Sequence, residues 1–197
     1  MLLSVGLWAQ TPEEIVQKMS EQMERAESEG FTMDLVMKMP LVGTISSHNL
    51  IAGDKMRMES VGRDRKKISW TDKATQWTYD EENGVVTIES KETVAKESKN
   101  DDLKAFDSVT RGYDLVLQKE TAEAWYILCK KSRDNKEKDD PKKMELAVAK
   151  DTYLPIYLRT KQSLVSVSIE NITLGVSEEE VTFHAEEFPD VRIEDKR

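Results

Sequence analysis

The chain has 197 residues, a formal net charge of −9, 34% charged residues and 38% hydrophobic residues. This length suits one domain with a hydrophobic core, and the regular strand patterns described below exclude a disordered chain. The negative charge argues against a nucleic-acid partner and against lying on an anionic membrane, because no stretch gathers enough Lys and Arg. The short basic stretches, residues 63–67 and 142–143, are flanked by acids and are interpreted as solvated turns.

The first nine residues are apolar and uncharged, and Leu7-Trp8-Ala9 followed by Gln10 resembles the end of a secretory signal peptide. We therefore interpret residues 1–9 as the remnant of a cleaved signal peptide and residues 10–197 as a single domain of an exported protein. No later stretch of sequence approaches the roughly 20 consecutive apolar residues that a membrane-spanning helix requires.

The next segment predicts an amphipathic helix. Thr11 and Glu14 form the pattern of a capping box, and Pro12 suits the first helical position. Gly30 is typical of a helix end. Apolar residues recur along this segment at helical spacing and so form one stripe: Ile15, Met19, Met23 and Ala26.

From residue 31 the apolar period becomes two, which is typical of β-strands. Short turns containing Gly, Pro or Asp join successive segments and indicate antiparallel hairpins. A polar stretch over residues 91–100 precedes a predicted inserted helix over residues 101–110. We count about ten or eleven strands. The sequence therefore predicts an α+β fold that consists mainly of β-strands. In this fold a curved antiparallel sheet has its concave face covered by the N-terminal helix and the inserted helix.

The predicted strands place methionine and aromatic residues on apolar faces that two helices would cover only loosely. We interpret the gap as a pocket for an apolar ligand, since the flexible thioether of Met adapts to such a ligand. The alternative is that the same side chains fill the space under the helices as an ordinary core. The predicted lining residues are Phe31, Met33, Leu35, Met37, Met39, Met56, Met58, Ile68, Trp70, Trp77 and Tyr79. The predicted lid residues on the two helices are Ile15, Met19, Met23, Leu103 and Phe106.

The sequence lacks the motifs of common hydrolases, metalloproteases and phosphate-binding loops. Its one cysteine, Cys129, lies in an apolar run and is interpreted as a small buried hydrophobe. Its two histidines, His48 and His184, lie in unrelated segments without metal-ligand spacing. We therefore predict a protein that is not an enzyme and that needs neither a metal nor a cofactor.

The order of the segments is more specific than any one of them. A capped helix after a signal peptide is followed by the stretches 31–35, 53–59, 71–80 and 178–195. This order resembles the periplasmic outer-membrane lipoprotein carriers (LolA-like) and the wider lipoprotein-sorting superfamily, over nearly the whole mature chain. The family's Asp-Gly-Lys hairpin is shortened here to Asp72-Lys73. The Arg that often precedes a Pro and holds the lid in these carriers has no counterpart, because the matching stretch is Ala52-Gly53-Asp54.

The resemblance implies an unclosed β-barrel with a helical lid, enclosing an apolar cavity for the acyl chains of lipoproteins in the periplasm. It also implies an inner-membrane release complex and an outer-membrane acceptor as partners, besides acylated lipoproteins or lipid. Exposing a 16-carbon chain to water costs on the order of 10 kcal/mol, so such cargo needs a cavity to cross an aqueous compartment. The hypothesis is a monomeric carrier; the alternatives are a lipid- or protein-binding sensor or adaptor of the same fold, or a structural envelope protein.

Overall fold

The computed structural model describes residues 10–62, 65–91, 111–138, 140–162 and 164–197. The predicted signal remnant, residues 1–9, lies outside the described residues. So does the predicted inserted helix over residues 101–110, with its proposed lid residues Leu103 and Phe106. Within the described part of the chain, no helix combines the length and the apolar composition needed to cross a membrane.

Helix α1, Pro12–Glu29, begins with the predicted capping box. The backbone N–H of Glu14 donates to Thr11 Oγ1 at 3.2 Å, and the backbone N–H of Thr11 donates to Glu14 Oε2 at 3.0 Å. Two backbone donors of the first turn are therefore satisfied locally. The buried stripe of the helix consists of Ile15, Val16, Met19, Met23 and Ala26.

Replacing Thr11 by Ala removes this cap and is expected to lower the free energy of unfolding by about 1 kcal/mol. The measurement is urea denaturation followed by far-ultraviolet circular dichroism. Thr11→Ser is the matched control, because a serine hydroxyl caps a helix equally well. An equal loss of stability in the serine variant would show that the cap is not the cause.

Twelve strands follow α1 in the described residues. Their bounds are β1 Phe31–Met39, β2 Gly43–Ala52, β3 Lys55–Gly62, β4 Arg65–Thr71, β5 Thr75–Asp80, β6 Val85–Ser90, β7 Tyr113–Glu120, β8 Ala124–Lys131, β9 Lys143–Ala149, β10 Pro155–Gln162, β11 Val165–Leu174 and β12 Arg192–Asp195. The sequence predicts about ten or eleven strands. Strand β12 has only four residues, three of them charged, so its period-two pattern is too short to recognise.

All twelve strands belong to one sheet, in the order β12-β6-β5-β4-β3-β2-β1-β11-β10-β9-β8-β7. Neighbouring strands run antiparallel except β12, which pairs with β6 in parallel. The predicted fold is confirmed: the protein is mainly β, with a single curved and unclosed sheet.

The two faces of the sheet have different covers. We call the face that contacts α1 the helix face. Its core combines the helix stripe with apolar side chains from β1, β2 and β7–β11, several of which are completely buried: Phe31, Ile127, Leu146 and Val148. We call the opposite face the tail face, because the C-terminal segment, residues 175–191, packs on it.

The C-terminal segment connects β11 to β12, which lie on either side of the six strands β1–β6. Its path begins where the backbone N–H of Gly175 donates to the carbonyl oxygen of Gly30 at 2.9 Å. Val176 and Val181 then bury against Ala52 of β2. The segment therefore ties the middle of the sheet to its β6 edge, where β12 adds the final strand.

Candidate functional site

The helix face carries an apolar strip that is not part of the fully buried core. On β1, Leu35, Met37 and Met39 occupy alternate positions and therefore share a face. The register places Ile45 of β2 and Val167 of β11 on either side of Met37. Ile45 is 37% exposed and the other four are partly exposed. We call these five residues the apolar strip.

Phe31 and Met33, on the same face of β1, are covered more completely. Phe31 is fully buried and Met33 is 4% exposed, and both belong to the core that includes Ile15, Met19 and Met23 of α1. The protein's own side chains therefore fill this part of the helix face, as in an ordinary core. The three predicted lid residues on α1 are buried here, while their role as a lid stays a prediction.

Met56 and Met58 extend the helix face onto β3. Met56 lies opposite Ile51 and packs against the core. Met58 is half-buried and lies between Asn49 and Ser69, which are polar but only 4% and 5% exposed. The amide of Asn49 donates to the backbone carbonyl of Met33 at 3.3 Å, which satisfies part of its hydrogen-bonding capacity. The apolar surface therefore ends at β3.

Beyond β3 the helix face becomes polar. The row that continues from Met58 consists of Ser69 on β4, Thr78 on β5 and Thr87 on β6. An apolar ligand gains little by lying on hydroxyl groups, because these lose water without gaining a partner. The part of the helix face suited to an apolar ligand is therefore formed by β11, β1, β2 and β3.

The structure divides the predicted lining residues between the two faces. Ile68 and Trp70 of β4 lie opposite Tyr79 and Trp77 of β5, and all four occupy the tail face. In the neighbouring strand, Met58 lies on the helix face. The methionines and these aromatic residues therefore do not line one common cavity.

Two phenylalanines of the C-terminal segment contact the aromatic residues of the tail face. The ring centroid of Trp70 lies 5.3 Å from that of Phe183 and 5.7 Å from that of Phe188, both in edge-on geometry. Trp77 stacks with Phe183 at 5.8 Å. Trp70 is consequently only 3% exposed. The sequence contained a signal for this cluster, since two phenylalanines in a short polar tail require an apolar surface, but it did not indicate which face supplies it.

Burial raises the pKa of two titratable groups of the helix face. Cys129 is fully buried, and desolvation raises the pKa of its thiol to about 12. Desolvation, with the nearby charge of Asp140, also raises the pKa of Tyr113 to about 12, and its hydroxyl donates to the carbonyl of Pro141 at 2.9 Å. The interpretation of Cys129 as a small buried hydrophobe is confirmed, and its thiol is not poised as a nucleophile.

The two histidines pair with separate carboxylates. His48 Nδ1 lies 2.6 Å from Asp34 Oδ1, and His184 Nδ1 lies 3.3 Å from Glu186 Oε1. Among the described residues, no group of three or more His, Cys, Asp or Glu side chains is placed to hold a metal ion.

The sequence matches no protein-family model and no curated protein. Several solved structures are similar in fold. An uncharacterised conserved protein of Thermus thermophilus has a TM-score of 0.49 and 11% identity, over 95% of this chain and 100% of that chain. A LolA superfamily protein of Nitrosomonas europaea has a TM-score of 0.37 and 11% identity, over 89% of this chain and 99% of that chain.

A third similar structure is MucB of Pseudomonas aeruginosa, solved in complex with MucA. It has a TM-score of 0.48 and 16% identity, over 89% of this chain and 62% of that chain, so the chain spans less than two thirds of MucB. LolA superfamily and lipoprotein-sorting structures, the group that the sequence resembles, are among these neighbours. At these identities the likeness concerns the fold alone.

Proposed function

We propose that this protein is a non-enzymatic binding protein of the cell envelope that holds acyl chains of lipids or lipoproteins against the apolar strip. The observation that carries the proposal is the row Val167, Met37 and Ile45, which is continuous across β11, β1 and β2. These three side chains are only partly covered, although the adjacent surface under α1 is fully packed. An apolar sheet surface of this kind gains stability when it is covered.

An acyl chain fits this strip for two physical reasons. Each methylene group transferred from water to an apolar surface contributes about 0.8 kcal/mol, so affinity should rise up to about fourfold per methylene while the chain stays on the strip. Met37 and Met39 supply flexible thioethers that adjust to a mobile ligand. Short-chain probes should therefore bind much more weakly than long-chain probes.

The central test is Met37→Asp, which places a carboxylate in the middle of the strip. We expect the affinity for a fluorescent long-chain fatty acid to fall at least about tenfold, because the contact of one large apolar side chain is lost and a charge is added. The measurement is a fluorescence titration of the probe, with circular dichroism to establish that the variant is folded.

The matched control is Val36→Asp. Val36 is the neighbouring residue of the same strand, is also half-buried, and lies on the tail face opposite Ser46 and Ser168. It should change the fold's stability more than probe binding. Equal loss of binding in the two variants, or unchanged binding in Met37→Asp, would place the ligand elsewhere.

We further propose, from the sequence resemblance to lipoprotein carriers, that the bound chain is cargo. In this proposal a single domain, exported to the periplasm, receives an acylated lipoprotein from an inner-membrane release complex and passes it to an outer-membrane acceptor. The test is incubation of the protein with inner-membrane vesicles, in which a carrier should bring lipoproteins into the soluble fraction.

A sensor or adaptor that binds lipid or protein without transport is the second candidate. The packing under α1 favours this second candidate. Side chains of the protein itself fill that space, so an acyl chain could bind on the apolar strip but several chains could not be enclosed in a deep cavity. Native mass spectrometry of protein isolated from its own envelope separates acyl-chain binding, which should retain acyl species, from protein binding, which should retain a polypeptide partner. The release of lipoproteins from inner-membrane vesicles then separates a carrier from a lipid-binding sensor.

A further inference from the structure

One end of the sheet exposes a group of aliphatic side chains. Leu41 and Val42, in the turn between β1 and β2, are 95% and 44% exposed, and Leu164, in the turn between β10 and β11, is 70% exposed. Ile45 and Val61 lie at the same end. These five are the majority of the eight exposed large hydrophobic residues in the described part of the chain. Single exposed apolar residues are ordinary, but a cluster indicates an interaction surface.

The turns β1–β2 and β10–β11 form one continuous surface. A depression of about 400 Å³, open to solvent, lies between them and is lined by residues of both hairpins: Lys38, Met39, Pro40, Gly43, Thr44, Lys161, Leu164 and Ser166. Leu41 has a φ of +69°, a left-handed conformation that a leucine rarely adopts. Such conformations recur at functional sites, where the surrounding structure maintains them.

The two turns that line the depression carry basic but no acidic residues, although the protein as a whole has a net charge of −9. Residues 36–46 and 159–168 contain Lys38, Arg159 and Lys161 but no Asp or Glu. Arg159 pairs with Glu170 at 2.9 Å, whereas Lys38 and Lys161 line the depression between the turns. The local charge of the surface formed by the two turns therefore differs in sign from the net charge of the protein.

We propose that this end of the sheet docks on the surface of a lipid bilayer that contains anionic lipids. Leu41, Val42 and Leu164 enter the interfacial region, and Lys38 and Lys161 contact the phosphates of the headgroups. A combination of protruding aliphatic side chains with flanking lysines matches a bilayer surface, which offers negative charge above an apolar layer.

The docking surface is continuous with the apolar strip. Met39 belongs to the strip and also lines the depression between the turns. Docking would therefore bring the end of the strip to the membrane surface, where an acyl chain could pass between the two. Membrane docking does not depend on acyl-chain binding, so the vesicle assay below and the probe titration above can fail separately.

The first experiment measures co-sedimentation of the full chain with vesicles of phosphatidylethanolamine and phosphatidylglycerol. Binding should be lost in the double variant Leu41→Asp with Leu164→Asp. Each of Lys38→Gln and Lys161→Gln should weaken binding about fivefold, and the effect should shrink as salt is added. Val116→Asp and Ile156→Asp are controls, because their side chains are also exposed, at 40% and 42%, but lie away from these turns.

A second experiment reports on insertion without removing a leucine. Cys129 is the only cysteine of the sequence and is fully buried, so a cysteine introduced by Val42→Cys accepts an environment-sensitive dye selectively. The emission of this dye should shift to the blue when anionic vesicles are added. The same dye attached through Val116→Cys should not respond.

Three results would overturn the proposal. The first is wild-type protein that stays in the supernatant with anionic vesicles. The second is an equal loss of binding in the Val116→Asp or Ile156→Asp controls. The third is a wild-type oligomer that Leu41→Asp with Leu164→Asp converts to a monomer in light scattering, since the turns would then be an interface between two copies of the chain.

Discussion

Replacing Gly30 by Ala is expected to lower the free energy of unfolding by more than about 3 kcal/mol. Gly30 has φ +75° and ψ 147°, a combination that is strained for any residue with a Cβ and costs about 1–3 kcal/mol. A Cβ built there would lie 2.1 Å from the carbonyl oxygen of Val176 and 3.1 Å from that of Ile51. Both contacts are with backbone, so the added atom would displace the start of the C-terminal segment.

The measurement is chemical denaturation, with tryptophan fluorescence as a second probe because Trp70 lies under the C-terminal segment. Gly53→Ala is the matched control: Gly53 also has a positive φ, +59°, but nothing lies within 4 Å of an added Cβ. It should cost about 1–2 kcal/mol from backbone strain alone. If the two variants lost the same stability, the close approach of Gly30 to Val176 would not contribute to the loss of unfolding free energy in Gly30→Ala.

Replacing Trp70 by Ala is expected to cost about 3–5 kcal/mol of unfolding free energy. The indole is 3% exposed, contacts the rings of Phe183 and Phe188, and lies beneath the guanidinium of Arg57 at 5.7 Å. Its loss would leave a cavity between the tail face and the C-terminal segment. Because Trp70 lies on the face opposite the apolar strip, the folded fraction should bind the fatty-acid probe with unchanged affinity.

Urea denaturation and the probe titration measure the two effects separately. If Trp70→Ala is too unstable to isolate, Trp70→Phe retains a ring and provides a milder change. A double-mutant cycle with Phe183→Ala should give a coupling of about 0.5–1.5 kcal/mol for the aromatic pair. A Trp70 variant with normal stability and no probe binding would show that Trp70 belongs to the ligand-binding site.

The position of the aromatic residues shows where reasoning from sequence reached its limit. Alternation within β3 and within β4 was read correctly, since Met58 and Trp70 each lie on an apolar side of their own strand. The pairing of Gly62 with Arg65, which are separated by only two residues, places these apolar sides on opposite faces of the sheet. A shift of one residue in register would reverse that relation.

The polar residues that alternate with the aromatic residues of β4 and β5 also indicate which face of the sheet each side chain occupies. Within β4 and β5, Ser69 and Thr78 are partners on the helix face, whereas Trp70 pairs with Trp77 on the tail face. The apolar residues of β4 and β5 therefore share one face of the sheet, and this face is opposite to the one that carries the apolar residues of β1. Comparing the length of each turn with the pattern on both sides of it would have separated the two sets.

Consecutive residues were enough to establish the capped helix, the first strand and the burial of Cys129, because each depends on spacing within a short segment. The division of the apolar residues between two faces and the path of the C-terminal segment were not available in this way. They depend on pairs far apart in the chain, such as Thr32 with Thr173 and Gly30 with Gly175. Local periodicity depends only on residues that are neighbours in the chain, so the sequence reveals it directly. Strand register and long crossovers depend on which distant surfaces pack together with the least strain and the most buried apolar area.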